Sequence, residues 1–374
     1  MKILQFPIAD SFGGITHYIL ENWKWIDREK FQFDFATMSK SLGFSDQILS
    51  AGSKIHYISC YAEENEKKFV EEVNRILDEG YDVVHLHTKQ WKSFLIEKIC
   101  MERNVPKVIV HAHSTRCDAE DFFIRKMERE RHERVKKLFS ASYATDFWAC
   151  SEEAADWLFG KQIPADKIRI MKNAVEIEKF SYDEIKRNKI RQELGIKDNF
   201  VVGNVGRFVY QKNQKFLLEV FSKLCCVNNN AILLLVGDGP LENELKSMAV
   251  RYGISDRIKF LGKRKDVNEL YQAMDLFVLP SHFEGFAIVL IEAQISGLKC
   301  IVSKNISLNA NITGEVDYLD NAVEVWVRKI QEYAKGYYRK DKSVVTENKG
   351  YSIKQQILNV EAGYLGKDLY DRDL

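Results

Sequence analysis

A chain of 374 residues exceeds what one ordinary hydrophobic core supports, so two domains are the starting expectation. Its 45% apolar and 29% charged residues exclude a disordered or fibrous protein, and a formal net charge of +1 excludes the overall basic field that nucleic-acid binding requires. The seven cysteines, at 60, 100, 117, 150, 225, 226 and 300, lack C-x-x-C spacing, which argues against a disulfide framework or a zinc knot and fits a reducing cytoplasm.

Met1-Lys2 leads straight into a strand-like run with no signal-peptide core, and no apolar run is long enough to cross a bilayer. The expectation is a protein that is neither secreted nor membrane-spanning. From there, short β-branched runs alternate with amphipathic stretches, the pattern of parallel sheets wrapped by helices, and this predicts an α/β protein. Strands are predicted at Lys2–Phe6, Phe31–Thr37, Lys54–Ile58, Asp82–His87, Lys107–His113, Asp146–Cys150 and Lys167–Met171, with helices at Gly14–Ile26, Glu63–Asp78 and Trp91–Glu102. The charged stretch Glu176–Lys197 breaks the rhythm. The second half restarts at Phe200–Val205 and continues with strands at Ala231–Val236, Arg257–Leu261, Asp275–Leu279 and Cys300–Val302. The predicted helices there are Gln214–Leu224, Leu241–Tyr252, Val267–Ala273 and Ala287–Ser296. This suggests a first domain over 1–180, a linker over 181–198, a second domain over 199–350, and a tail over 351–374 whose helix would pack back across the hinge.

Three places carry chemistry. Phe12-Gly13-Gly14-Ile15 follows the first strand, and two glycines there let a backbone approach a ligand and leave helix N-terminal amides for an anion, although an ordinary tight turn reads the same way. Gly206-Arg207 with Lys212 follows the first strand of the second half, where open α/β sheets bind ligands, so both cations are placed where a diphosphate could be neutralised, although a solvated Arg and Lys on a surface loop read the same way. Gly237-Asp238-Gly239-Pro240 is a weaker turn of the same kind. The strongest site is Phe283-Glu284-Gly285-Phe286-Ala287-Ile288-Val289-Leu290-Ile291-Glu292-Ala293. Its two carboxylates, eight positions apart, could be separated by up to about 12 Å at the helical rise, too far to share a proton or a metal, so they would touch different parts of one long ligand. Glu292 in an apolar helix needs hydrogen-bond donors if buried, and paired sugar hydroxyls are natural ones. The alternative is a polar stripe with Gln294 and Ser296 facing solvent.

The order and spacing of Gly206-Arg207 with Lys212, Gly237-Asp238-Gly239-Pro240 and Glu284-x7-Glu292 resemble the signature of the retaining glycosyltransferase family 4. That resemblance implies a GT-B fold, two Rossmann-like domains facing each other across a cleft. It implies that Arg207 and Lys212 hold the diphosphate of a nucleotide-sugar donor, helped by Gly14 and by the amides of Gly285, Phe286, Ala287 and Ile288. Glu284 would meet the transferred sugar, Glu292 the ribose, and the backbone near Lys263 and Arg264 the base. His113 resembles the histidine that reaches the donor sugar from the first domain, with His111, two residues earlier on the same strand face, as the alternative. Two departures stand out: Ala287 where Pro or Gly is frequent, and a loop Ser303–Gly314 without paired glycines.

No Asp-x-Asp motif sits beside a strand end, and Asp371-Arg372-Asp373 reads as a solvated terminus. The expectation is therefore transfer without metal or other cofactor, with retention of configuration, the departing diphosphate helping to deprotonate the incoming hydroxyl. The stretch Arg125–Lys137 carries seven Lys or Arg against three Glu, with Phe122, Phe123, Ile124, Met127, Val135, Leu138 and Phe139 in or beside it. It reads as either a solvated helix or one resting on an anionic bilayer. Trp148-Ala149-Cys150-Ser151-Glu152, Gly206-Arg207-Phe208, Gln211-Lys212-Asn213 and Ile291-Glu292-Ala293-Gln294 resemble bacterial capsular and exopolysaccharide glycosyltransferases. This implies a hexose or N-acetylhexosamine moved, most readily from a UDP-sugar, to a polyprenyl-diphosphate-linked saccharide at the inner face of the cytoplasmic membrane. A nucleotide-sugar epimerase of the same architecture and a non-catalytic sugar-nucleotide binder are the rival readings.

Overall fold

The computed structural model describes residues 1–10 and 13–367. The chain forms two compact units: one from Met1–Cys117, Asp121–Asn173 and the stretch from Ile353 onward, the other from Asp118–Glu120 and Ala174–Ser352.

The first unit is a seven-stranded parallel sheet of β1 (Lys2–Phe6), β2 (Gln32–Thr37), β3 (Ile55–Tyr57), β4 (Val83–Thr88), β5 (Lys107–Ala112), β6 (Asp146–Ala149) and β7 (Ile168–Ile170). The spatial order is β3-β2-β1-β4-β5-β6-β7, so the winding reverses between β1 and β4. Runs such as Val108-Ile109-Val110 are buried on both faces, as parallel strands require. One face carries Ile3, Val83, Ile109 and Trp148 against the helices Gly14–Trp25 and Ile353–Tyr364. The tail helix thus completes this unit's core. Gly363 is needed there because a Cβ would lie 2.4 Å from Trp148 Cζ2. Polar residues interrupt that apolar face at Gln5, His85, His87 and His111, all buried.

The second unit is a six-stranded parallel sheet, in the order β10-β9-β8-β11-β12-β13. Its strands are β8 (Phe200–Val205), β9 (Ala231–Val236), β10 (Ile258–Gly262), β11 (Leu276–Leu279), β12 (Lys299–Ser303) and β13 (Val316–Leu319). The reversal lies between β8 and β11, and ligands of doubly wound sheets bind outside the carboxyl ends of strands at such a point. Every pairing is parallel, so Gly206-Arg207, Gly237 and Pro280-Ser281 leave the sheet at one edge.

The boundary between units falls at Asn173/Ala174, ahead of the 181–198 stretch suggested as linker, and that stretch lies inside the second unit. Its helix Glu184–Glu193 starts on Asp183, whose carboxylate accepts from the amides of Ile185 and Lys186. Its charges serve a half-buried network, in which Arg187 and Arg191 lie 2.5 and 3.1 Å from the Asp275 carboxylate and the Val201 amide donates to the same group at 2.8 Å. A charged stretch that looks like a tether in sequence is in fact bound to the entry of β8 and β11.

Candidate active site

The carboxyl end of β8 is built around glycines that let loops touch. Gly206 has φ +153°, and a Cβ on it would lie 3.2 Å from Lys212 Cε, so the bare glycine leaves room for the lysine stem to cross it. A Cβ on Gly237 would lie 2.1 Å from the Gly206 carbonyl oxygen. The Gly237-Asp238-Gly239 turn is thereby explained by packing on the Gly206–Phe208 loop, with the Phe208 amide donating to the Asp238 carbonyl at 2.7 Å.

Lys212 and Glu284, predicted to serve different parts of a ligand, meet: Lys212 Nζ lies 2.8 Å from Glu284 Oε1, with side chains 15% and 6% exposed. Gln211 Nε2 donates to Glu284 Oε2 at 3.2 Å and to the Phe283 carbonyl at 3.1 Å. An ammonium has three protons, and this pairing uses one of them. The half-buried Arg207 guanidinium makes no hydrogen bond or ion pair with the described residues. The helix Ile288–Ile295 starts on Ala287 without a side-chain cap. Its Ile288 amide is spent on the Phe286 carbonyl at 2.9 Å, whereas the amides of Phe286 and Ala287 make no hydrogen bond with the described residues. Those two amides, Arg207 and the remaining Lys212 protons are donors that an anion could take.

Glu292, Gln294 and Ser296 are all buried, at 5, 1 and 0% exposure, so the polar-stripe alternative does not hold. The Tyr271 hydroxyl supplies Glu292 Oε2 with a hydrogen bond at 2.8 Å. Burial, reinforced by this carboxylate, drives the Tyr271 pKa far above its ordinary value, so it stays a donor. Gln294 Oε1 accepts from the amides of Ile312 and Thr313 and Nε2 donates to the Ala310 carbonyl, which fixes the loop after β12 without paired glycines. Arg264 forks onto Asp266 at 2.8 and 2.6 Å, so its guanidinium is held within its own turn. Sequence reasoning missed Gln211 as a partner of Glu284, and Tyr271. It also missed His282, whose ring stacks on Tyr210 at 4.4 Å. The only signal for these was proximity to the motifs.

In the first unit, Gly14 opens the helix Gly14–Trp25 after an uncapped Gly13, and a Cβ on Gly14 would meet nothing within 4 Å. Phe12 lies outside the described residues, as does Asp371-Arg372-Asp373. His111 is wholly buried, Nδ1 against His85 Nε2 at 3.1 Å, while His113, one step past β5, keeps some solvent access and bonds His87 Nδ1 through Nε2 at 2.9 Å. The geometry favours His113 as the residue able to meet a ligand. Burial pushes its pKa down to about 3, helped by the charge of Lys89, so the ring is neutral at physiological pH. His85, His87 and His111 bring one ring nitrogen each within 4.8 Å of one another, but the first two already hold both nitrogens in hydrogen bonds.

The family model "Glycosyl transferases group 1" matches residues 186–340, and "Glycosyl transferase 4-like domain" matches residues 13–174. The chain belongs to these glycosyltransferases. The glycosyltransferase is 29% identical over 311 residues to EpsF of Bacillus subtilis (strain 168), whose name assigns it to the glycosyltransferases, covering 82% of this chain and 80% of that one. It is 28% identical to the UDP-Gal:alpha-D-GlcNAc-diphosphoundecaprenol alpha-1,3-galactosyltransferase of Escherichia coli over 334 residues, covering 85% and 83% of the two chains. In fold it resembles Anabaena HepE, solved with UDP and glucose, with TM-score 0.76 at 17% identity over 98% of this chain and 100% of that one. The two Rossmann-like units are those of a GT-B glycosyltransferase, and neither rival reading is favoured.

The glycosyltransferase's basic helix runs from Phe122 to Lys136, and His132 is its one buried residue among those described. Phe122, Phe123, Ile124 and Met127 are 63, 72, 54 and 67% exposed. No helix among the described residues is long and apolar enough to cross a membrane.

Proposed function

We propose that this glycosyltransferase moves a hexose or N-acetylhexosamine, with retention of configuration, from a UDP-sugar to a polyprenyl-diphosphate-linked saccharide during capsular, exopolysaccharide or O-antigen synthesis. The observation that carries the donor side is the grouping of Arg207, the Phe286 and Ala287 amides and the Lys212–Glu284 pair at the carboxyl edge of the second sheet. A diphosphate is what that grouping of donors fits. Charge growing on the departing diphosphate would be met by Arg207, by the remaining Lys212 protons and by the two amides, in the place of a divalent ion. Glu284 orients the transferred sugar, Glu292 with Tyr271 receives the ribose, and His113 contacts the sugar. The E. coli relative, whose name specifies a UDP-galactose donor and a diphosphoundecaprenol acceptor, supports this donor and acceptor class.

The acceptor reading is supported by the helix Phe122–Lys136, whose exposed phenylalanines and cations suit the headgroup region of an anionic bilayer on the cytoplasmic side. Incubation of a panel of UDP-sugars with and without a polyprenyl-diphosphate saccharide tests the reaction. Product only when both are present is expected, and an isomerised donor without acceptor would contradict it. In liposome flotation at low salt the protein rises with anionic vesicles, and Phe122→Ser/Phe123→Ser remains largely below. Wild-type protein staying wholly at the bottom would refute the membrane reading.

A further inference from the structure

Four of the chain's eight histidines, His85, His87, His111 and His113, lie on or beside two neighbouring strands, in register as His87 beside His111. They interrupt an apolar sheet face, which is costly unless every polar atom is satisfied in order. Five hydrogen bonds connect them to Gln5 and Tyr364. Gln5 Nε2 donates to Tyr364 Oη at 2.9 Å, and Gln5 Oε1 faces His87 Nε2 at 2.8 Å. His87 Nδ1 faces His113 Nε2 at 2.9 Å. Tyr364 Oη faces His85 Nδ1 at 2.9 Å, and His85 Nε2 faces His111 Nδ1 at 3.1 Å.

We propose that the Gln5 amide, acting through His87, fixes the tautomer of His113 and so makes its Nδ1 a permanent hydrogen-bond acceptor for the donor sugar. Each neutral imidazole carries one donor and one acceptor, so the protons follow from one end of the chain to the other. Gln5 Oε1 can only accept. His87 Nε2 therefore bears the proton, and His87 Nδ1 is the acceptor. His113 Nε2 must then be protonated to donate to it, and His113 Nδ1 is left with a lone pair. That atom makes no hydrogen bond with the described residues. The second branch obeys the same rule: Tyr364, accepting from Gln5, donates to His85 Nδ1, and His85 Nε2–H donates to His111 Nδ1. His111 Nε2–H then ends the branch without a polar partner among the described residues, in a ring that stands edge-on to Tyr18, the two centroids 5.1 Å apart at 89°. Burial holds all four rings in their neutral forms, which keeps the order intact at physiological pH.

The consequence is a rule for the group that meets His113: it must bring a proton. A sugar hydroxyl does, and a carboxylate does not. Gln5 and His87 are positioning residues, since neither would touch the substrate. The inference rests on the reading of His113 as the sugar-contacting histidine.

Nitrogen-15 NMR of the full-length protein labelled at its imidazoles tests it, the His113 resonances being assigned by their loss in His113→Ala. A protonated-type Nε2 and an unprotonated-type Nδ1 are expected in the wild type. In Gln5→Met the His113 signature becomes a mixture of tautomers and kcat falls about tenfold with KM little changed, as for loss of one neutral hydrogen bond. A wild-type His113 protonated at Nδ1, or an unaltered tautomer in Gln5→Met, would overturn the proposal, and the first measurement needs no variant to fold. If the proton order is as expected but His113→Ala turns over normally, the order stands and the sugar-contact reading is what has failed.

Discussion

Replacing Glu284 by glutamine lowers turnover by about two to three orders of magnitude while barely moving the melting temperature. The pair explains why the two effects separate. Glutamine keeps a carbonyl oxygen for the Lys212 ammonium, which sits 2.8 Å from Oε1, so the loop between β11 and the helix Ile288–Ile295 retains its anchor. What is lost is the negative charge proposed to orient the sugar and accept from its hydroxyls. Lys212→Met loses stability as well as diphosphate affinity. It strands a carboxylate that is only 6% exposed, a change that costs roughly 3 kcal/mol when a buried pair is broken from one side. The double variant Lys212→Met/Glu284→Gln should recover much of that stability and none of the activity. Steady-state kinetics and thermal melts of the four proteins measure both quantities, and wild-type turnover in Glu284→Gln would remove Glu284 from the mechanism.

Acidification from pH 7 to pH 5 should destabilise the first unit well before the second. His85, His87, His111, His113 and His132 all lie in the first unit, and burial lowers the pKa of each, to about 4 for His132, about 3 for His113 and well below 6.5 for the others. Below pH 6.5 the unfolded chain takes up protons that the folded chain refuses. Stability is therefore full above that pH and declines as pH falls towards the folded values, by about 1.4 kcal/mol per pH unit for each histidine that stays neutral. Glu97 opposes this. Its buried carboxyl is pushed up to about 8, so its share of stability is present below pH 4.5 and is lost as pH rises towards 8. One group against five cannot reverse the trend. Peptide-resolved hydrogen exchange, compared at pH 7 and pH 5 after correction for intrinsic rates, reads the two units separately. Protection lost first from β8–β13 would contradict the account.

The sheets were legible because parallel strands buried on both faces are short apolar runs that no other structure explains as well. Phe200–Val205 and Ala231–Val236 match to the residue. Edges and polar elements were not. Val316–Leu319 has an aspartate within four residues and no long apolar run, and the helix Glu184–Glu193 reads as a tether until Asp275, more than 80 positions away, supplies its partner. The motifs located the strand ends and the charged residues there, but pairing is a long-range property. Nothing local to Lys212 indicates that Glu284 will meet it, and nothing near His113 indicates that Gln5, at the other end of a hydrogen-bonded chain, will face His87. Gly237 shows the converse. Its spacing suggested ligand contact, and the 2.1 Å approach that a Cβ would make to the Gly206 carbonyl oxygen shows a packing requirement that suffices by itself.

On the proposed reading, the carboxyl edge of the second sheet grips a nucleoside diphosphate through Arg207 and Lys212. Calorimetric titration of UDP into wild type, Arg207→Met and Lys212→Met measures this directly. The account predicts affinity weaker by about tenfold to a hundredfold in each variant, the loss of one charge-assisted hydrogen bond to the diphosphate. Equal affinity in all three proteins would contradict it.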